Sequence, residues 1–173
     1  MTPPSNYAAA SNAQASLIIA GVADYKVSRD PNAHIITYAL GSCLGITFHD
    51  ERRQIGGLLH VMLPDSRLHN RQDIRKPMFV DTGVPLIIDE LVKAGANRKD
   101  LKCKVFGGAQ LMAADHYFRI GAKNIDAFYE ISRQQEINVT VWEVSGRCNR
   151  TIRLINSTGE VLVKTPAQPE FIR

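Results

Sequence analysis

The sequence predicts one domain of α/β (α+β) class, with mostly antiparallel strands and two main helices. Three observations lead there. Short runs rich in β-branched and aromatic residues recur along the chain, each closed by Gly, Pro, Asn or a charged cluster. In residues 81–94 and 124–135 the apolar spacing changes to a helical period. A length of 173 residues, 45% of them hydrophobic and 22% charged, suits a single soluble core. Such a chain buries roughly 70% of its unfolded surface.

Residues 1–15 are small and polar and read as a flexible arm before a domain spanning 16–166. Residues 16–27 carry a strand-like apolar run, which Pro31 and Asn32 close as a turn. Residues 34–40 and 44–48 read as strands and residues 55–63 as a third, with Asp50, Glu51, Arg52 and Arg53 at the hairpin tip. Residues 64–77 are polar, bounded by prolines, and read as an exposed loop. In the first helix Val84, Ile87, Ile88, Leu91 and Val92 share a face; Asp81 or Thr82 caps it, Pro85 fits its first turn, and Gly95 stops it. Residues 102–106 form a strand that ends in Gly107-Gly108. The second helix presents Ile125, Phe128, Tyr129 and Ile131, with Asn124 as its cap. Residues 138–144, 151–156 and 160–164 are strands, the last two joined through Ser157-Thr158-Gly159, and residues 167–173 read as a tail.

The formal charge of +4 comes from scattered basic residues, a solvated face rather than a nucleic-acid surface. Three cysteines cannot all pair and none lies in a Cys-x-x-Cys motif, which points to a reducing, cytoplasmic setting. The apolar stretch 17–23 is too short to span a bilayer and lacks a positive segment before it, so neither membrane insertion nor secretion is expected.

Chemistry concentrates in residues 37–64. Cys43 sits in Gly41-Ser42-Cys43-Leu44-Gly45, and His60 follows in an apolar strand. A thiol nucleophile needs a base within hydrogen-bond reach. Glycines on both sides of Cys43 echo the nucleophile elbow, but that elbow requires a helix next, and residues 44–48 are β-branched and aromatic. A turn between two strands is the better picture. A hairpin through residues 44–62 then returns His60 to the level of Cys43, where an imidazolium would lower the thiol pKa and make a thiolate–imidazolium pair the resting state. The plainer reading of each residue alone is core packing. Cys103, alternating in a strand, fits that reading, and Cys148 lies in a loop with arginines but no histidine nearby in sequence. His34, His49, His69 and His116 show no ligand-like spacing with the cysteines, so no metal and no cofactor are expected.

Thr37-x-x-x-Gly41-Ser42-Cys43, followed by His60-Val61-Met62-Leu63-Pro64-Asp65-Ser66, resembles the chemoreceptor glutamine deamidases of the CheD family. Lys104-Val105-Phe106-Gly107-Gly108-Ala109, Gly121-x-x-Asn124, Gly146-Arg147 and Thr158-Gly159-Glu160-Val161 resemble it in the same order, from about Ile18 to Lys164. The chain departs from the pattern at Val144-Ser145, where a further glycine is expected. The resemblance implies a three-layer α/β/β sandwich and hydrolysis of selected receptor glutamines to glutamate, with release of ammonia. Carried over by motif, it implies Cys43 as nucleophile, His60 as general base and acid, and Thr37 as the group that orients His60. Gly41, Ser42 and Gly107 are the expected oxyanion and substrate-binding positions. The implied partners are the cytoplasmic helices of chemoreceptors and a CheC-type phosphatase. The rival reading is a docking partner of that phosphatase with little catalytic role; a transglutaminase- or methylesterase-like acyl transfer is a third.

Overall fold

A computed structural model describes residues 15–68, 75–111 and 119–173. The expected arm lies outside them apart from Ala15, as do His69 and His116. In chain order the described elements are β1 (Ser16–Ile19), β2 (Asp24–Ser28), β3 (Ala33–Leu40), β4 (Leu44–Asp50), β5 (Ile55–Val61), α1 (Val80–Lys93) and β6 (Leu101–Gly107). There follow α2 (Ile120–Gln134), β7 (Asn138–Val144), β8 (Arg150–Ile155), β9 (Val161–Thr165) and β10 (Gln168–Ile172). Short 3-10 turns precede α1 and β6.

Two five-stranded sheets result, ordered β1-β3-β8-β9-β10 and β2-β5-β4-β6-β7. Only the β1–β3 and β6–β7 pairs among these are parallel. Ile35, Leu40, Leu58, Phe106, Ile152 and Leu154 fill the layer between the sheets. Leu44, Ile46, Leu59 and Val61, on the other face of the second sheet, pack with Val84, Ile87 and Leu91 of α1 and Phe128 of α2. The layers are therefore helices, sheet and sheet, as the resemblance implies. Every residue of β4 and β5 is buried, because these neighbouring strands have helices on one side and a sheet on the other. That is why residues 55–61 are apolar on both faces.

Several expectations need correction. The run 16–27 is two strands in different sheets, broken at residues 20–23, where Ala23 takes a left-handed φ of 54°. The tail contains β10, which extends the first sheet through β9. Neither Asp81 nor Thr82 caps α1. The Asp81 carboxylate accepts from the Ser66 N–H and hydroxyl, and Thr82 donates to the Lys76 carbonyl. Helix α1 starts at Val80, so Pro85 lies beyond its first turn and removes one donor from the ladder. Val92 and Tyr129, expected inside, are 44% and 49% exposed. Asn124 is not a cap but a fully buried residue inside α2, which begins four residues earlier. No helix among the described residues is long and apolar enough to cross a membrane.

Candidate active site

The site forms where β3 turns into β4, at one end of the layer between the sheets. Near its end β3 carries a bulge, with the register shifting between Thr37 and Leu40 and Ala39 at a φ of 55°. The extra residue lets Thr37 and Leu40, three apart, both bury their side chains while Tyr38 and Ala39 stay exposed. Gly41, Ser42 and Cys43 make the turn. In the β4–β5 hairpin Gly45 stands opposite His60, and Cys43 is the next position toward the turn on that face. Cys43 packs against the inter-sheet cluster. The hairpin thus brings Cys43 and His60 to one end of one face, and the other sheet brings Thr37 to His60.

Thr37 Oγ1 and His60 Nδ1 lie 2.8 Å apart in a buried hydrogen bond that joins the two sheets. His60 is 1% exposed, and its Nε2 is buried with no hydrogen-bond partner among the described residues. Burial lowers the imidazole pKa from 6.5 to about 4. Burial also pushes the Cys43 thiol above its usual range, despite the backbone N–H of Cys43 beside it. Both shifts favour the neutral forms, a thiol and a neutral imidazole, where the sequence reading expects thiolate and imidazolium. Alkylation of Cys43 by iodoacetamide, followed by peptide mapping, is therefore expected to accelerate only above pH 9. A plateau already reached at neutral pH would contradict this.

The turn is fastened through all three of its carbonyls. Gly41 O accepts from the Ala109 N–H (2.8 Å), Ser42 O from Asn124 Nδ2 (2.9 Å) and Cys43 O from the Gly108 N–H (2.8 Å). The turn's polar acceptors thus point into the protein. Gly107 lies directly beneath Cys43: at its φ of 104° a side chain would land on the Cys43 carbonyl. Gly45 is small for a different reason, since a Cβ there would sit 2.6 Å from Leu40 and 2.7 Å from Ile152 of the facing sheet. The glycines flanking Cys43 make room rather than adopt unusual conformations. Ser145, where the pattern expects glycine, takes a left-handed φ of 69°, and its backbone N–H donates to Gly107 O at 2.8 Å.

The structure leaves the other expected bystanders out. Cys103 is fully buried and its thiol is pushed well up, and Cys148 lies in the loop before β8. His49 Nε2 is engaged at 2.8 Å with the Asn156 carbonyl. Among the described residues no three His, Cys, Asp or Glu side chains gather to hold a metal ion. Two residues at this end escape sequence reasoning. Arg150 begins β8 opposite Leu40, is 7% exposed, and has an Nη1 without a partner among the described residues. Asn124 reads from sequence as a helix cap, but its spacing to Phe128 and Ile131 places it on the buried face of α2.

A family model described as CheD chemotactic sensory transduction matches residues 62–165. The chain belongs to the CheD family. A relative in Syntrophus aciditrophicus, called probable chemoreceptor glutamine deamidase CheD 1, is 38% identical over 88% of this chain and 96% of its own length. A CheD relative in Desulforamulus reducens is 40% identical over 86% of this chain and 90% of its own. A third, in Bacillus velezensis and named chemoreceptor glutamine deamidase CheD, is 35% identical over 92% of this chain and 98% of its own.

Proposed function

We propose that this CheD-family protein hydrolyses glutamine side chains on the cytoplasmic helices of chemoreceptors to glutamate, through a thioester on Cys43. The observation that carries the reading is the buried Thr37–His60 bond, which sits at the end of the layer where the glycine turn presents Cys43. With the Nδ1 hydrogen donated to Thr37 Oγ1, the His60 Nε2 lone pair is free to take the thiol proton. The Cys43 sulfur attacks the amide carbon and its C=O electrons move to oxygen. Backbone N–H groups of Ser42 and Cys43 receive that oxyanion, the carbonyls of the same turn being already taken up by Ala109, Asn124 and Gly108.

Collapse of the tetrahedral intermediate breaks the C–N bond. The His60 imidazolium, made strongly acidic by burial, gives its proton to the departing nitrogen, and ammonia leaves. Water then attacks the thioester carbon as His60 takes its proton, the C–S bond breaks, and the thiol and a glutamate carboxyl are restored. The setting is the cytoplasm, where the receptor helices lie.

Incubating the protein with receptor cytoplasmic fragments and mapping their peptides by mass tests this reading. Glutamine peptides are expected to gain the mass difference between amide and acid with wild type and not with Cys43→Ala. Persistence of the gain in Cys43→Ala would overturn it. Intact signalling by that variant in cells would favour docking to a CheC-type phosphatase instead.

A further inference from the structure

We infer, building on the deamidase reading, that Asn124 is a positioning residue that locks the nucleophile turn to the strand end carrying the base. Its carboxamide nitrogen donates two hydrogen bonds of 2.9 Å, one to Ser42 O and one to Met62 O. Ser42 immediately precedes the nucleophile, and Met62 lies two residues beyond His60. The NH2 group has two hydrogens, and each goes to one of the two catalytic segments. Asn124 is completely buried, so water does not compete for these carbonyls. The β4–β5 ladder ends at Leu44 opposite Val61, so the sheet itself does not hold residues 42 and 62 together. Asn124 closes the register just past the last ladder pair.

Helix α2 is brought within reach by a close backbone approach. A Cβ on Gly121 would sit 2.6 Å from Gly108 O, and one on Gly108 would sit 2.6 Å from Ile125. Asn124 lies about one turn further along the helix, directed into the same corner. The segment 107–109 that meets α2 also donates to Gly41 O and Cys43 O. One helix therefore sets the height of the turn twice, through the Gly108 contact and through the Asn124 amide. Without the amide, Ser42 O and Met62 O lose their shared donor, and the turn can shift against His60 while the fold persists. A misplacement of about 1 Å costs up to 100-fold in rate when the reacting groups must be in near-attack geometry.

The test uses the full chain with Asn124→Ala, Asn124→Asp and, as a control, Phe128→Leu on the buried face of the same helix. Two quantities are measured below each variant's unfolding temperature and corrected for folded fraction. One is kcat and KM on a receptor fragment; the other is the pH midpoint of Cys43 alkylation. Both Asn124 variants are expected to lower kcat by about 10- to 100-fold with KM within about twofold, and to move the alkylation midpoint. Phe128→Leu, compared at equal loss of Tm, is expected to change neither. A kcat that falls only in step with folded fraction, falls equally in Phe128→Leu, or stays constant while KM rises overturns the inference. Should wild type leave receptor glutamines untouched, the deamidase reading fails on its own, and an unmoved alkylation midpoint still overturns the lock.

Discussion

Replacing His60 with Gln is expected to cost about 10²- to 10⁴-fold in kcat on receptor glutamines, the usual worth of a positioned acid–base group. Glutamine approximates the size and polarity of histidine but cannot exchange a proton, so substrate binding should change little. The same substitution makes the fold less sensitive to acid. His60 titrates at about 4 in the folded chain and near 6.5 when unfolded. Between those values the unfolded state binds more protons, so stability rises with pH and is lost as pH falls from 6.5 through 4. Wild type should lose about 2 kcal/mol between pH 7 and pH 5 through this group alone. Urea unfolding at the two pH values measures it, and His60→Gln should remove that share. His49, whose pKa burial also lowers, contributes in the same direction and remains in both proteins as an internal reference. An equal acid loss in both would show that His60 does not titrate below its usual range.

Gly107→Ala is expected to be the most damaging single methyl in the molecule. The backbone there has a φ of 104°, and the added Cβ would collide with the Cys43 carbonyl, which the neighbouring Gly108 N–H already holds. Strain and collision together should cost on the order of 2–4 kcal/mol, or roughly 5–15 °C in Tm for a chain of this length. Activity should fall further than the stability loss explains, because the collision pushes on the carbonyl of Cys43, the proposed nucleophile. Gly21→Ala is the contrast. The nearest atom to its Cβ would be Asp24 Oδ2 at 4.0 Å, so Tm should stay within about 2 °C. Calorimetry on the two variants decides the matter: a Gly107→Ala protein that melts like Gly21→Ala would mean the turn is not held as described.

The legible parts of the site have a common reason. Cys43 and His60 could be paired from sequence because a strand–turn–strand pattern with a charged tip fixes a register, and register is local information. The state of that pair could not be read, since the pKa values depend on what the other sheet and the helices bury. Asn124 looked like a cap because a polar residue stood where the helical period began. The helix in fact starts earlier, in a stretch without a strong apolar signal. Strand β10 was hidden by Pro166 and Pro169, which the edge position of that strand tolerates. The bulge at Ala39 left no sign in composition, because alanine rarely takes a positive φ unless its surroundings impose it.

The class of the fold, the central hairpin and the placing of Cys43 and His60 at one end of it are written in periodicity and turn chemistry. Through the motifs around Cys43 and His60 the sequence also pointed to the family. Tertiary structure alone decided the rest. It set Thr37 of one sheet against His60 of the other, fastened all three carbonyls of the Gly41-Ser42-Cys43 turn, and through burial raised the thiol pKa and lowered that of the imidazole. These features join residues far apart in sequence through hydrogen bonds and burial, and only packing the layers together brings them into being.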